Sequence, residues 1–256
     1  RRLGGALADA RAIFGHQARP GALFDLLTAD GAQRVHAARI LRALLDGLLL
    51  SSRGKGNPFK YGFIGDSDTH NAAASNEEFN YTGKFGIESD PKHRLNGFQG
   101  QPPAQIQQIR EFSSGGLAGV WADENTREAI FDAMQRKETF GTSGTMIKVR
   151  FFGGWDFGAA DLVRPGFVKA GYARGVPMGG DLKSATGKAP TFMVMASMDP
   201  KSGNLDRIQI VKGWLDAKGR QYEKIYDVSW SGERKLDPKT GKLPPVGDTV
   251  DAAKGE

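Results

Sequence analysis

Two signals in the amino-acid order predict an α/β protein followed by an antiparallel β-rich region. The first is an amphipathic helix over 33–50 that passes through a Gly- and Pro-marked loop into a short apolar strand. The second is a change of period near residue 145. Helical spacing stops there, and runs of alternating apolar and polar residues take over, separated by Gly, Pro, Asp and Asn clusters. The fold class expected is α/β plus β. Residues 1–145 are expected to be helix-rich, 146–230 an antiparallel sheet or sandwich, and 231–256 a polar, extended or frayed tail.

In chain order, residues 1–35 are rich in Ala, Gly and Arg, and Leu23-Phe24-Asp25-Leu26-Leu27 suits a short helix or a packed loop. Val35, Ala38, Ile40, Leu41, Leu44, Leu45 and Leu48 then recur at helical spacing, with Arg34, Arg39, Arg42 and Asp46 mostly elsewhere. His36 on this helix reads as a satisfied or solvated histidine. Residues 51–58 form a loop, and an apolar strand follows. Helix, loop, strand and polar motif in that order is the grammar of an α/β unit, whose chemistry lies beyond strand C-terminal ends. Residues 72–116 read as long and irregular, with Pro102-Pro103; a loop of that length is usually functional or poorly ordered. His93, between Lys92 and Arg94, reads as surface.

A small-residue strand is expected over 115–122, with close backbone approach. The next helix is marked by Asn125 as cap, Glu128 in its first turn, and Ala129, Ile130, Ala133 and Met134 as its apolar face. Strands are expected over 146–152, 190–198, 206–215 and 221–230, with no helix after 145.

Composition excludes several classes. The chain has 256 residues, enough for one large domain or two modest ones, and an ordinary globular balance of 39% hydrophobic and 25% charged. It has no cysteine, which excludes disulfides, zinc ribbons and thiol nucleophiles. The net charge is +6 and the pI about 9.5, but Lys and Arg are scattered, so a solvated surface is expected and no nucleic-acid footprint. The apolar run over 40–50 is short and interrupted by Arg42 and Asp46, so no membrane span is expected. A soluble protein of cytoplasm or periplasm fits. The chain opens Arg1-Arg2-Leu3 without Met or a signal pattern, as a processed chain or a fragment would.

The stretch that concentrates polar chemistry is Tyr61-Gly62-Phe63-Ile64-Gly65-Asp66-Ser67-Asp68-Thr69-His70-Asn71. On an extended backbone Asp66, Asp68 and His70 project to one face. A carboxylate with an imidazole suits a first-row transition metal such as Mn, Fe or Zn. The same residues also suit a strand-to-loop exit, where Asp, Ser, Thr and Asn form turns. Glu77 and Glu78 lie within reach of such a site across the loop, or are simply exposed acids. Thr142-Ser143-Gly144 offers hydroxyls, but no matching base or strand-elbow-helix pattern accompanies them. Arg127 and Lys148 could face an anion, or be solvated.

Several ordered blocks resemble one family. They are Asn57-Pro58-Phe59-Lys60-Tyr61-Gly62-Phe63-Ile64-Gly65 with Ser67-Asp68-Thr69-His70-Asn71, then Gly115 to Ala122, Glu124-Asn125-Thr126-Arg127-Glu128-Ala129 and Thr142-Ser143-Gly144-Thr145. Val149-Arg150-Phe151-Phe152-Gly153-Gly154-Trp155-Asp156 and Asn204 to Asp216 complete the set. In order over roughly 33–230, they resemble the domain-of-unknown-function 3604 family. That family is similar to the PHP (polymerase and histidinol phosphatase) superfamily. The resemblance implies a distorted β/α barrel with a metal cluster, often trinuclear, at the strand C-terminal ends, and hydrolysis of phosphate or sulfate esters. It carries Asp68 and His70 over as metal ligands and assigns Asp66 no role.

Two departures accompany it. Met146 stands where the family pattern has Arg after Thr145. The superfamily's opening His-x-His motif is absent, since the histidines are His16, His36, His70 and His93. The chain therefore resembles the family's C-terminal part, the last barrel segments followed by a β-rich region. The remaining metal ligands are expected from a preceding segment or another chain. The function implied is part of a metal-dependent ester hydrolase with a small-molecule substrate, inactive or nearly so as this chain alone. The alternative is a noncatalytic binding or assembly domain with a ligand face around Trp155, Trp214 and Trp230, at least two of these rings being expected in the core.

Overall fold

The computed structural model describes residues 23–25, 34–65, 67, 69–70, 84–97, 100–104, 106, 115–163, 165–184 and 187–246. Strand alternation organises the larger part. Strands β4 (Lys148–Gly154), β5 (Gly175–Pro177) and β6 (Thr191–Ser197) form one sheet in the order β5-β4-β6. Strands β1 (Leu23–Asp25), β7 (Arg207–Leu215) and β8 (Gln221–Trp230) form a second in the order β1-β7-β8. A hairpin of β2 (Leu117–Val120) and β3 (Thr139–Thr142) stands apart from both. Every pairing among the described strands is antiparallel, and no sheet closes on itself. The architecture is mixed α/β with several antiparallel sheets.

Strand β6 and the Ile208–Val211 part of β7 are apolar on both faces and covered on both. Phe192, Val194 and Ala196 on β6 pack against Ile208 and Ile210 on β7, with Val149, Phe151, Tyr226 and Val228 around them. The odd positions of β6 face the other way: Met193 meets Phe152, Phe157 and Phe167, the last on helix α4 (Gly166–Arg174). On the far side of the second sheet, Val211 meets Leu41 and Leu45 of helix α1 (Arg34–Ser52). The layers run helix, sheet, sheet, helix. A fully buried Phe or Ile contributes about 1.5–3 kcal/mol by leaving water, so this double core dominates the stability.

As expected, the strands over 146–152, 190–198, 206–215 and 221–230 are present, with ends moved by two residues at most. The helix over 33–50 is also present, and it packs on β7. Other expectations are corrected. Helical structure does not stop at 145: α4 and a 3-10 turn at Ala159–Leu162 cover the outer face of β4. Leu23–Asp25 is neither helix nor loop but a strand, made so by pairing with Val211, Lys212 and Gly213. Within 72–116, a short helix α2 (Pro91–Asn96) is capped by Asp90, whose side chain accepts from the Lys92 amide. Helix α3 (Arg127–Gln135) is capped by Thr126 rather than Asn125, its hydroxyl accepting from Ala129 N at 3.3 Å.

The tail is tied down over 231–246. Arg234 donates to the carbonyls of Asp206, Ser231 and Pro244, Trp230 Nε1 donates to Arg234 O at 2.7 Å, and Leu243 is buried. Residues 247–256 lie outside the described residues.

Candidate functional site

The β2–β3 hairpin is the floor of the site. Its register sets Leu117 opposite Thr142 and Val120 opposite Thr139, and α3 fills the connection with Ala133 buried. Residues 61–65 cross this hairpin. They are expected as a strand, but among the described residues they pair with no strand. Close packing holds them to the hairpin. A Cβ on Gly65 would lie 2.6 Å from Leu117 O and 2.7 Å from Thr142 O, and a Cβ on Gly141 would lie 2.4 Å from Gly65 N. Real Cβ atoms do not approach so closely, so only glycine lets the two backbones meet.

The chain then leaves the hairpin beside Gly115, where an added Cβ would come within 2.5 Å of Ser67 Cα. The Ser67 and Thr69 hydroxyls lie 3.0 Å apart, and the Thr69 amide approaches Ser67 Oγ at 3.4 Å. His70 follows. Its amide donates to Lys84 O at 2.7 Å, and its ring sits 4.8 Å from the Phe85 ring at 40°. The imidazole is exposed. Asp66, Asp68, Glu77 and Glu78 lie outside the described residues. Among the described residues no group of three or more His, Cys, Asp or Glu side chains could hold a metal ion. The exposed imidazole has the donor chemistry of a first-row ion, but as one ligand it is not a site by itself.

The other predicted contributors are placed less favourably. Thr142 Oγ1 accepts from Gly144 N at 3.4 Å and serves the turn. Arg127 and Lys148 are exposed. The Met146 amide donates to Asp199 Oδ2 at 2.8 Å, and with the Lys201 amide it holds the Asp199 carboxyl below its usual range. His93 is half-buried, with Nδ1 3.2 Å from Ile87 O. Trp155, Trp214 and Trp230 are each half-buried, so none belongs to the fully buried core expected of two of them.

A second polar cluster joins the hairpin to the sheets, and sequence reasoning missed it. Glu138, 2% exposed, precedes β3. Tyr172 on α4 donates its hydroxyl to Glu138 Oε1, and Arg150 Nη1 donates to that hydroxyl at 3.1 Å. The Arg150 guanidinium lies 3.7 Å over the Trp121 ring, whose Nε1 donates to Val149 O at 2.8 Å. Arg136 approaches the second Glu138 oxygen at 3.7 Å. Burial pushes the Tyr172 hydroxyl pKa up, and the Glu138 carboxylate pushes it further. Arg150 carried a usable signal: in the alternation of β4 it shares the face of buried Phe152, where a lone charge needs partners.

Fold and site together define a mixed α/β protein of layered antiparallel sheets, with a glycine-packed segment that presents an imidazole at the end of a hairpin. The chain belongs to the family of proteins of unknown function designated DUF3604, whose family model matches residues 24–256. No curated protein and no solved structure matched the chain. Among the described residues, no helix is long and apolar enough to cross a membrane.

Proposed function

We propose that this chain is part of a metal-dependent hydrolase of phosphate or sulfate esters, related to the PHP superfamily, in which Asp68 and His70 are two of the metal ligands. On this reading residues before 145 contribute the last segments of a distorted β/α barrel, and 146–230 form its β-rich companion. The observation that carries the proposal is His70. Its backbone is pinned to Lys84, its ring rests on Phe85, and its imidazole is exposed beside the Ser67–Thr69 turn. Such a ring is accessible and its orientation is restrained, as a ligand requires.

When bound, Mn, Fe or Zn, singly or as a cluster, would supply a water of lowered pKa and a Lewis acid at the ester oxygen. The chain's own residues hold and orient. Asp68 and His70 offer the donor pair, and the Gly65–Gly141 contact sets where the segment leaves the hairpin. The remaining ligands come from a preceding segment or another chain. Tyr61, Ile64, Phe131 and Met134 support that division, because they are large apolar side chains left exposed around the hairpin and α3. The substrate is a small-molecule ester, with neither nucleic acid nor membrane as partner.

Elemental analysis of the purified chain tests the ligand pair. We expect bound Mn, Fe or Zn in the parent and its loss in His70→Ala, with unchanged circular dichroism in both. Folded but metal-free parent protein would instead support the noncatalytic binding domain. For the incomplete site, we expect no metal-dependent turnover of an aryl phosphate or aryl sulfate by this chain alone; measurable turnover overturns that half.

A further inference from the structure

The outer face of β4 changes character along its length. Phe152 and, across the ladder, Met193 pack with Phe167 of α4, and Met195 packs beside them. Two residues back, the same face carries Arg150, directly opposite Met195. Helix α4 reaches Arg150 through Tyr172, and the hairpin reaches it through Trp121. The guanidinium therefore stands where the hairpin and the layered sheets meet.

Its contacts hold it in place but leave one edge unused. The guanidinium lies 3.7 Å over the Trp121 ring, and Nη1 donates to the Tyr172 hydroxyl at 3.1 Å. That hydroxyl donates on to Glu138 Oε1, and burial and the Glu138 charge both help it keep its proton. Arg136 stands 3.7 Å from the second Glu138 oxygen. Two guanidiniums thus share one carboxylate, and one positive charge is left over. Among the described residues, Arg150 meets no carboxylate at ion-pair distance, and its Nε and Nη2 make no hydrogen bond. No buried side-chain nitrogen or oxygen among the described residues lacks a partner, so this edge opens to solvent. We propose that Arg150 is the receptor for the carboxylate of a small organic acid, whose two oxygens accept from Nε and Nη2 between Trp121 and Tyr172.

Geometry and charge select this ligand. The Nε and Nη2 hydrogens form a planar fork that matches the two oxygens of a carboxylate. Trp121 and Tyr172 already fix the plane of that fork, so binding costs little side-chain freedom. A monoanion cancels the surplus charge of the Arg136, Glu138 and Arg150 group, whereas a dianion brings a second negative charge toward Glu138. Lys148, exposed farther along the same face, draws anions from a distance. Asp199 does not compete for Arg150, because its oxygens accept from the Met146 and Lys201 amides. Trp121 and Glu138 flank the Val120–Thr139 end of the hairpin, while Gly65 crosses the Leu117–Thr142 end on the way to His70. The inference is therefore independent of metal binding at His70.

Nuclear magnetic resonance titration of the full chain with benzoate, benzamide and inorganic phosphate tests it. The Arg150 Nε–H resonance, assigned by its loss in Arg150→Lys, is expected to shift saturably with benzoate and to stay in place with benzamide. Phosphate is expected to bind more weakly than benzoate. Arg150→Lys keeps the charge but loses the fork, and is expected to bind benzoate about tenfold more weakly, read from the Trp121 indole N–H. The proposal is overturned by a parent Arg150 signal that does not respond to benzoate, by an equal response to benzamide, or by tighter binding of phosphate. Undiminished benzoate affinity in folded Arg150→Lys overturns it equally. Where that variant does not fold, the three titrations of the parent decide alone, with the resonance assigned through bonds.

Discussion

Glu138 shows how the worth of a side chain depends on its neighbours. Its carboxylate is out of water but accepts from Tyr172 and faces Arg136. Glu138→Leu leaves the Tyr172 hydroxyl without that acceptor, and is expected to cost about 1–3 kcal/mol, read from the urea midpoint. Glu138→Gln keeps an acceptor and is expected to cost less. Asp216 sets a pH limit. The backbone amide of Arg220, then its guanidinium and the Lys218 amide, lower the carboxyl from the ordinary 3.8 to about 2. A depressed carboxyl stabilises the fold fully above about pH 4 and loses that contribution as pH falls toward 2. Melting temperatures recorded across that window should fall less steeply in Asp216→Asn than in the parent. At this scale the spacing of Asp66, Asp68 and His70 made His70 one candidate donor among three. The sequence did not point to the Glu138–Tyr172 pair, because residues 34 positions apart carry no local pattern of contact.

Elements were legible where packing and pattern agree. The four long strands were read closely because alternation marks them: Phe192, Val194 and Ala196 face one layer while Met193 faces the other. Ile210→Ala, at the centre of that core, is expected to lose about 2–5 kcal/mol in chemical denaturation. Helix α4 was missed for a physical reason. Its sequence contains Gly166 and Gly171, poor helix formers, yet a Cβ at Gly171 would come within 2.6 Å of the Phe152 ring. Tertiary packing requires the residue that local propensity disfavours. The segment over 61–65 shows the reverse error, an apolar run that reads as a strand but meets its hairpin through glycine contact. Gly65→Ala is expected to destabilise the chain by about 1–3 kcal/mol through overpacking and to weaken metal retention at His70, measured by melting and elemental analysis together.

The whole molecule divides into a layered core and an attached hairpin. Strands β6 and β7 are apolar on both faces and covered on both, so their amides are expected to exchange most slowly with solvent. The hairpin is joined to that core by the Trp121, Glu138, Arg150 and Tyr172 contacts. Tyr172→Phe is therefore expected to speed hydrogen exchange in β2 and β3 while leaving β6 and β7 unchanged. Equal acceleration throughout would mean that hairpin and layers open as one unit.

The sequence by itself determined the α1 helix, the four long strands and the absence of thiol chemistry. Each depends on residue type at short spacing, which periodicity and composition record directly. Only the tertiary structure decided that α1 covers β7, that Leu23–Asp25 is a strand, and that Gly65 and Gly141 meet. The same is true of Arg150 lying between Trp121 and Tyr172. Those facts arise where distant parts of the chain exclude water or each other, and that information is not carried by neighbouring residues.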